Sequence, residues 1–133
     1  QQRRLLTFAI DGSKKLPPAT ISSTPFVDDT NLRIDAAQAA KGASLYHQSC
    51  VLCHGANAAS GGAAPDLRRS PAVADRATFS SIVRDGILVS RNMPRFGELS
   101  SADAEAIRLY LLSRARESAA SQKPRNGMQD AGQ

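Results

Sequence analysis

The stretch Cys50-Val51-Leu52-Cys53-His54 is the most informative part of this 133-residue sequence. Two cysteines at positions i and i+3 lie on one side of a helical turn, so both thiols can reach the same edge of a flat ligand. The chain has no other cysteine, whereas a disulfide framework needs several cysteines spread along the chain. We therefore interpret the two thiols and the adjacent imidazole as one local site.

Cys-x-x-Cys-His is the pattern of covalent haem attachment. In this interpretation Cys50 and Cys53 bind the two vinyl groups on one edge of a porphyrin, and His54 is a ligand of the iron. Three other interpretations stay open on the residues alone. A thioredoxin-like motif would follow a strand in a βαβ unit, a zinc site would have to add His47 as a fourth ligand within one segment, and the pentapeptide could arise by chance.

The iron then needs a sixth ligand or an open position. Met93 precedes Pro94 in a loop ahead of the last predicted helix, from which a thioether could reach the distal face. The alternative is that Met93 fills a gap in the core. Met128 lies in the polar C-terminal stretch, and His47 precedes Cys50 on the same helix. We expect His47 to be a surface histidine, because it cannot reach the opposite face of a ring attached at Cys50 and Cys53.

Three helices are predicted around the motif, and no strand alternation occurs between them. Their boundaries follow from capping residues and a terminal glycine. The predicted helices run from Asp35-x-x-Gln38 to about Ser49, from Asp75 or Arg76 through Phe79 and Ile82 to Gly86, and from Ser100-x-x-Asp103 onward. Residues 36–116 are therefore predicted to form one all-α unit.

The flanking segments lack a helical period. Residues 3–10 alternate as a β-strand does, and Asp11-Gly12 follows as a turn. Because no other segment offers this strand a partner, it either pairs with a missing part of the protein or lies as an addition at the edge of the folded unit. We expect the first, with residues 1–12 belonging to a missing upstream domain. Residues 13–35 are rich in Pro, Ser and Thr and predict a linker. The polar residues 117–133 predict a disordered tail.

Composition narrows the function further. Aromatic residues make up 5% of the chain and Trp is absent, so the core is thin and a large apolar cofactor would fill it. The net charge of +5 comes from scattered residues without a basic helix or patch, which argues against nucleic acid binding. No apolar run is long enough to span a membrane, and the N-terminus lacks the pattern of a signal peptide.

Residues 36–116 resemble a small class I cytochrome c. The features that carry this resemblance are Gly42, Tyr46, Cys50-x-x-Cys53-His54, Pro65, Met93-Pro94 and Tyr110. The resemblance implies three main helices and loops wrapped round one covalently bound haem c, with His54 and Met93 as iron ligands. It also implies that the first and last helices cross closely, and that the Pro65 carbonyl accepts the Nδ1–H of His54.

A second resemblance covers nearly the whole chain. Residues 4–12 are similar to the closing strand of a quinoprotein β-propeller, and residues 93–100 resemble the cytochrome domain that follows it in quinohaemoprotein alcohol dehydrogenases. This implies a domain that relays single electrons from reduced pyrroloquinoline quinone (PQQ) to an external cytochrome, blue-copper protein or quinone. PQQ, calcium and the catalytic centre would lie in the missing upstream domain, and the compartment would be the periplasm. The alternatives are a free-standing electron carrier and, of another class, a haem sensor or peroxidase-like enzyme with an open iron site.

Further residues are candidates for the haem pocket. The apolar ones could line the ring or be ordinary core: Val51, Leu52, Leu67, Phe79, Ile82, Ile87 and Phe96. The arginines could pair with a haem propionate or steer partner docking, or be solvated surface charges: Arg68, Arg69, Arg91 and Arg95.

Overall fold

The computed structural model describes residues 10–13, 24–29, 31–60 and 64–122, and all regular structure within these ranges is helical. The all-α prediction is therefore confirmed. The predicted strand over residues 3–10 lies outside the described ranges except for Ile10, which is in a turn. The assignment of residues 1–12 to an upstream domain stays a prediction. Within the described ranges no helix combines the length and apolarity needed to cross a membrane.

The first helix, α1, spans Ala36–Ser49 and carries the attachment motif at its end. Its start is capped by Asp35, whose carboxylate accepts the backbone N–H of Gln38 at 2.7 Å, because the first turn has no internal acceptors for its N–H groups. A second short helix, α2, follows at once over Val51–His54. The predicted boundaries of the first helix are confirmed.

Several short helical segments connect the motif to the middle of the chain. Helix α3 spans Pro71–Ala74 and helix α4 spans Arg76–Ser80. The carboxylate of Asp75 caps α4 by accepting the Thr78 N–H at 2.7 Å. A π-helical turn follows over Ser81–Asp85. This helical segment ends at Gly86, which has a left-handed φ of 76°. The predicted second helix and its glycine terminus are therefore confirmed.

The last helix, α5, spans Ser101–Gln122. Ser100 and Asp103 form a reciprocal cap, in which the Ser100 hydroxyl donates to the Asp103 carboxylate at 2.6 Å and accepts the Asp103 N–H at 3.1 Å. The prediction of a disordered tail from residue 117 is wrong for residues 117–122, which are helical. Side-chain pairs such as Glu117 with Arg114 stabilise this extra turn. Residues 123–133 lie outside the described ranges.

The core lies where α1 crosses α5. Gly42 faces the backbone carbonyl of Ala106 so closely that a Cβ built on Gly42 would lie 1.9 Å from that oxygen. One turn along α1, the ring of Tyr46 packs at 5.2 Å from the ring of Tyr110. Further buried side chains complete this core: Val73, Phe79, Val83, Ile107, Leu111 and Leu112. The close helix crossing implied by the resemblance is present.

The second half of the predicted linker is packed against the helices. We call residues 24–29 and 31–34 the strap. The Val27 N–H donates to the Arg68 carbonyl at 2.8 Å, and the ring of Phe26 lies 3.6 Å from the guanidinium of Arg69. Arg116 on α5 pairs with the Asp28 carboxylate at 2.8 Å. The described part of the predicted linker, from residue 24 onward, therefore runs over the surface of the helical unit, and composition alone does not indicate these partners because they are distant in sequence.

An ion pair joins the start of α5 to α1. The ammonium of Lys41 lies 2.6 Å from the carboxylate of Asp103. Lys41, together with the Ser100 cap, lowers the pKa of Asp103 to about 2. An unfolded Asp titrates near 3.9, so the ionised carboxylate stabilises the folded chain above about pH 4, and this contribution is lost as the pH falls through about 2.

We expect the free energy of unfolding to decrease between about pH 4 and pH 2 as Asp103 becomes protonated. The Asp103→Asn variant lacks this titration. It should be less stable than the parent at neutral pH, and the two should converge below about pH 2. Urea unfolding at a series of pH values measures both curves. A difference that stays constant across this range would show that Asp103 acts only as a neutral cap.

Candidate functional site

The attachment motif occupies the junction of α1 and α2. Cys50 is half-buried and Cys53 is exposed, and both are free thiols. Burial, followed by the proximity of Cys53, raises the pKa of the Cys50 thiol to about 11. The motif thus presents two thiols on one helical turn, with an imidazole directly after them.

His54 is the buried member of the motif, with 5% of its surface exposed. Its Nδ1 lies 3.2 Å from the Pro65 carbonyl oxygen, and a carbonyl can only accept, so Nδ1 carries the proton. No described residue forms a hydrogen bond with Nε2. The hydrogen bond implied by the resemblance is therefore present. The Nε2 lone pair has no hydrogen-bond donor among the described residues.

The loop after His54 has an unusual backbone. Gly55, Asn57 and Ala58 all have positive φ, of 76°, 56° and 61°. For Asn57 and Ala58 this left-handed conformation costs about 1 kcal/mol each, and Ala58 is completely buried. The hydroxyl of Tyr46 donates to the Gly55 carbonyl at 2.7 Å. Sequence reasoning treated Tyr46 only as a packing residue, because nothing in the motif indicates this contact.

Met93 lies in the loop that follows a 3₁₀ turn at Val89–Arg91. Asn92 takes a left-handed conformation, with φ of 64°, and the Met93 N–H donates to the Leu88 carbonyl at 3.3 Å. The side chain of Met93 is half-buried and packs against the same core as Val51 of the attachment motif. The loop is therefore held by its own turn, and the Met93 side chain packs against the core.

The apolar candidates divide into two groups. Val51, Leu67, Ile82 and Phe96 are half-buried beside the core, and Phe79 belongs to the core itself. Leu52 and Ile87 are 94% and 58% exposed, and so is Val89, at 55%, which sequence analysis did not single out. Leu52 lies between the cysteines on a helical turn, so it faces away from the side that the two thiols share. Leu52 therefore lies on the side of the turn opposite the two thiols.

The candidate arginines also differ in their surroundings. Arg68 donates to both carboxylate oxygens of Asp66, at 2.9 and 2.7 Å, and to the Ser118 hydroxyl at 3.1 Å. Arg95 donates through Nε to the Arg84 carbonyl at 3.0 Å, and Arg91 is exposed. Arg91 and Arg95 therefore retain N–H donors that no described residue engages, whereas Arg68 is already paired. Arg69 is engaged by Phe26 of the strap.

His47, the possible fourth ligand of a zinc site, lies on the surface. It is exposed, as predicted, and its Nδ1 lies 2.7 Å from the Ala43 carbonyl. The described residues bring together no group of three or more His, Cys, Asp or Glu side chains that could hold a metal ion. The zinc alternative thus has no geometric support within those ranges.

An all-α fold of this kind, with two free thiols and a buried imidazole at the end of α1, defines a c-type cytochrome domain. Residues 37–111 match the family described as cytochrome c oxidase, cbb3-type, subunit III. The chain belongs to this family of c-type cytochrome domains.

Curated relatives show the same kinship. The chain is 41% identical over 114 residues to quinohemoprotein alcohol dehydrogenase ADH IIB of Pseudomonas putida. The aligned region covers 84% of the chain and 16% of that protein. It is 37% identical over 117 residues to the dehydrogenase subunit of alcohol dehydrogenase (quinone) of Gluconobacter oxydans, covering 86% and 15%. It is also 41% identical over 78 residues to cytochrome c550 of Pseudomonas aeruginosa, covering 54% and 52%. The chain thus spans about one sixth of the length of the first two relatives, and the resemblance to quinohaemoprotein alcohol dehydrogenases is confirmed.

Proposed function

We propose that the chain is an electron-relay domain that binds one haem c covalently through Cys50 and Cys53. The bound haem supplies a one-electron iron couple. The donor is a reduced PQQ in a dehydrogenase domain of the same protein, and the acceptor is an external cytochrome, blue-copper protein or quinone. The compartment is the periplasm, because covalent haem attachment of this type is made outside the cytoplasm.

The observation that carries this proposal is the state of His54. Its ring is buried, its Nδ1–H is tied to the Pro65 carbonyl at 3.2 Å, and its Nε2 has no partner among the described residues. An imidazole in this tautomer offers one lone pair in a fixed direction, which is what an iron ligand requires. Two free thiols on the preceding turn then fix the edge of the ring.

Met93 is the second iron ligand in this proposal. A thioether is a soft ligand that favours reduced iron relative to a second imidazole. The turn at Val89–Arg91 and the Leu88 hydrogen bond hold the backbone at Met93, so little has to move when the oxidation state changes. Leu67, Ile82, Ile87, Phe96 and Phe79 would exclude water around the bound ring.

The propionates are assigned to Arg91 or Arg95, because both retain unengaged N–H donors. Arg68, another of the candidates, would first have to release Asp66 and Ser118. The same two exposed arginines would attract an acidic partner, and this attraction would weaken with salt.

The strap limits the distance between this domain and an upstream donor domain. At about 3.3 Å per residue, a free linker over residues 13–35 could reach roughly 75 Å, but residues 13–23 alone reach only about 36 Å. The strap therefore restricts how far this domain can move from whatever precedes it. A restricted range raises the effective concentration of acceptor near donor.

Replacing Met93 tests the ligand set. In the haem-loaded Met93→Ala chain we expect the far-red absorption band of sulfur-ligated ferric iron to disappear completely. The ferrous form should then bind carbon monoxide, because the sixth position is open. Visible spectroscopy before and after carbon monoxide measures both changes. Met128→Ala, which removes the chain's other methionine, is the control and should keep the parent spectrum.

Two outcomes would contradict the proposal. If the parent chain already binds carbon monoxide readily, the open-site alternative, a haem sensor, is correct. If the chain expressed with the haem-maturation machinery shows no haem bound after denaturation, covalent attachment fails altogether.

A free-standing carrier is the second candidate, favoured by the similarity to a cytochrome c550 of which the matched region covers 52%. The coding sequence before Gln1 separates the two. A β-propeller encoded directly upstream would support the relay, and its absence would support the carrier.

A further inference from the structure

The hydroxyl of Tyr46 is the polar group of α1 that reaches the backbone beyond the attachment motif. Tyr46 is completely buried, and its hydroxyl donates to the Gly55 carbonyl at 2.7 Å. Gly55 directly follows His54. A buried hydroxyl without a partner is costly, so the position of this oxygen and the course of the loop are fixed together.

The loop beyond Gly55 has a strained backbone. It takes positive φ at Asn57 and at the completely buried Ala58. Non-glycine residues hold this conformation only where the surroundings enforce it. Tyr46 holds the backbone at the start of this stretch, through its hydrogen bond to the Gly55 carbonyl.

The loop is one of two attachments that set the orientation of His54. On one side the Pro65 carbonyl holds the imidazole Nδ1–H. On the other side the backbone that leaves His54 is held at Gly55 by Tyr46. The imidazole plane is determined by both, because the side chain of His54 is buried and cannot be oriented by solvent.

We propose that Tyr46 is a positioning residue that fixes His54 through the loop 55–58 and so keeps the Nδ1–H bonded to Pro65. The inference rests on the proposed function, in which His54 ligates the haem iron. A hydrogen bond from Nδ1–H increases the electron density of the imidazole, which favours oxidised iron. Loosening the loop weakens that hydrogen bond, and the midpoint potential rises.

The chain offers a matched control. Tyr110 packs its ring against that of Tyr46 and is also buried, at 6% exposure. Its hydroxyl forms no hydrogen bond with any described residue. Tyr46→Phe and Tyr110→Phe therefore remove the same atom from the same aromatic pair, and only the first breaks the contact with the loop.

The test uses the haem-loaded full chain in both variants. In Tyr46→Phe we expect a higher midpoint potential, and amide exchange at Ala58 faster by roughly five- to tenfold, as the loss of one hydrogen bond allows. The Nδ1 proton resonance of His54 should shift towards that of a weaker hydrogen bond. Tyr110→Phe should match the parent in all three measurements.

Each failure has a distinct meaning. If the parent chain carries covalent haem but Tyr46→Phe has the parent's potential and Ala58 exchange, Tyr46 has no positioning role. A loss of thermal stability in Tyr46→Phe without a change in potential would likewise overturn the proposal, since it would reduce Tyr46 to a packing residue. Absence of haem in the parent would instead refute the proposed function.

Discussion

Replacing Gly42 with alanine is expected to destabilise the haem-loaded chain by about 3 kcal/mol, at the upper end of the usual range for overpacking. The added Cβ would lie 1.9 Å from the Ala106 carbonyl oxygen and 2.3 Å from its carbon. Both are backbone atoms of α5, so no side-chain rotation can relieve the contact. Helices α1 and α5 would have to move apart, and the packing of Tyr46 against Tyr110 would loosen with them.

Whether Gly42→Ala lowers or raises the free energy of unfolding distinguishes helix packing from helix propensity. In an exposed helix position, alanine stabilises relative to glycine by about 1 kcal/mol. Ala40, two residues earlier on α1, is exposed, and Ala40→Gly should cost about that amount. Urea unfolding of the two variants measures the contrast. A Gly42→Ala chain more stable than its parent would show that the helices do not approach as closely as the structure places them.

The elements that the sequence predicts well are those with local signals. Asp35, Asp75 and Ser100 each cap the helix that follows them, within three residues of the N–H group they bind. Gly86 ends its helix because it takes a positive φ. Such contacts depend on neighbours in the chain, so the pattern of residue types is sufficient to predict them.

The sequence is least informative where partners are distant along the chain. The composition of residues 13–35 predicts a linker, but it does not predict that Val27 bonds to Arg68 or that Asp28 pairs with Arg116. Residues 117–122 read as a polar tail, yet Ser118 contacts Arg68 and extends α5. Polar residues carry no sign of which distant group will engage them, so these contacts could not be predicted from composition.

In the candidate site, too, the local features are predictable from sequence and the contacts between distant residues are not. The motif predicts the place of Cys50, Cys53 and His54 because five consecutive residues define it. The Pro65 hydrogen bond came from the family resemblance, and spacing alone would not have identified it. The Tyr46 contact with the loop has no sequence signal, since a tyrosine on an apolar helix face is indistinguishable from ordinary core.

Arg108 is the clearest case of a residue whose importance only the structure shows. An arginine on an amphipathic helix is normally exposed, but Arg108 is 4% exposed. It forms two hydrogen bonds with the Glu105 carboxylate, at 2.9 and 2.8 Å. Its remaining donor group reaches the carbonyls of Val73 and Ala74, at 3.2 and 3.3 Å. Arg108 thereby joins α5 to the end of α3.

Arg108→Met is expected to cost about 3 kcal/mol, because it leaves Glu105 and two backbone carbonyls without their partner. The cost stays near the lower end of the range for buried pairs because Arg76, at 3.3 Å from Glu105, still compensates its charge. Arg76→Met is the control: its side chain is 68% exposed, so its removal should cost at most about 1 kcal/mol. Both values come from urea unfolding of the haem-loaded chain.

The double variant Arg108→Met/Glu105→Leu decides the cause of the loss. If an uncompensated carboxylate is responsible, removing that carboxylate should restore part of the stability, and the double variant should be more stable than Arg108→Met alone. If the double variant is instead less stable by the sum of the two single changes, the carbonyls of α3 are what Arg108 serves. In that case the role of Arg108 is to hold the end of α3 against α5 through the Val73 and Ala74 carbonyls.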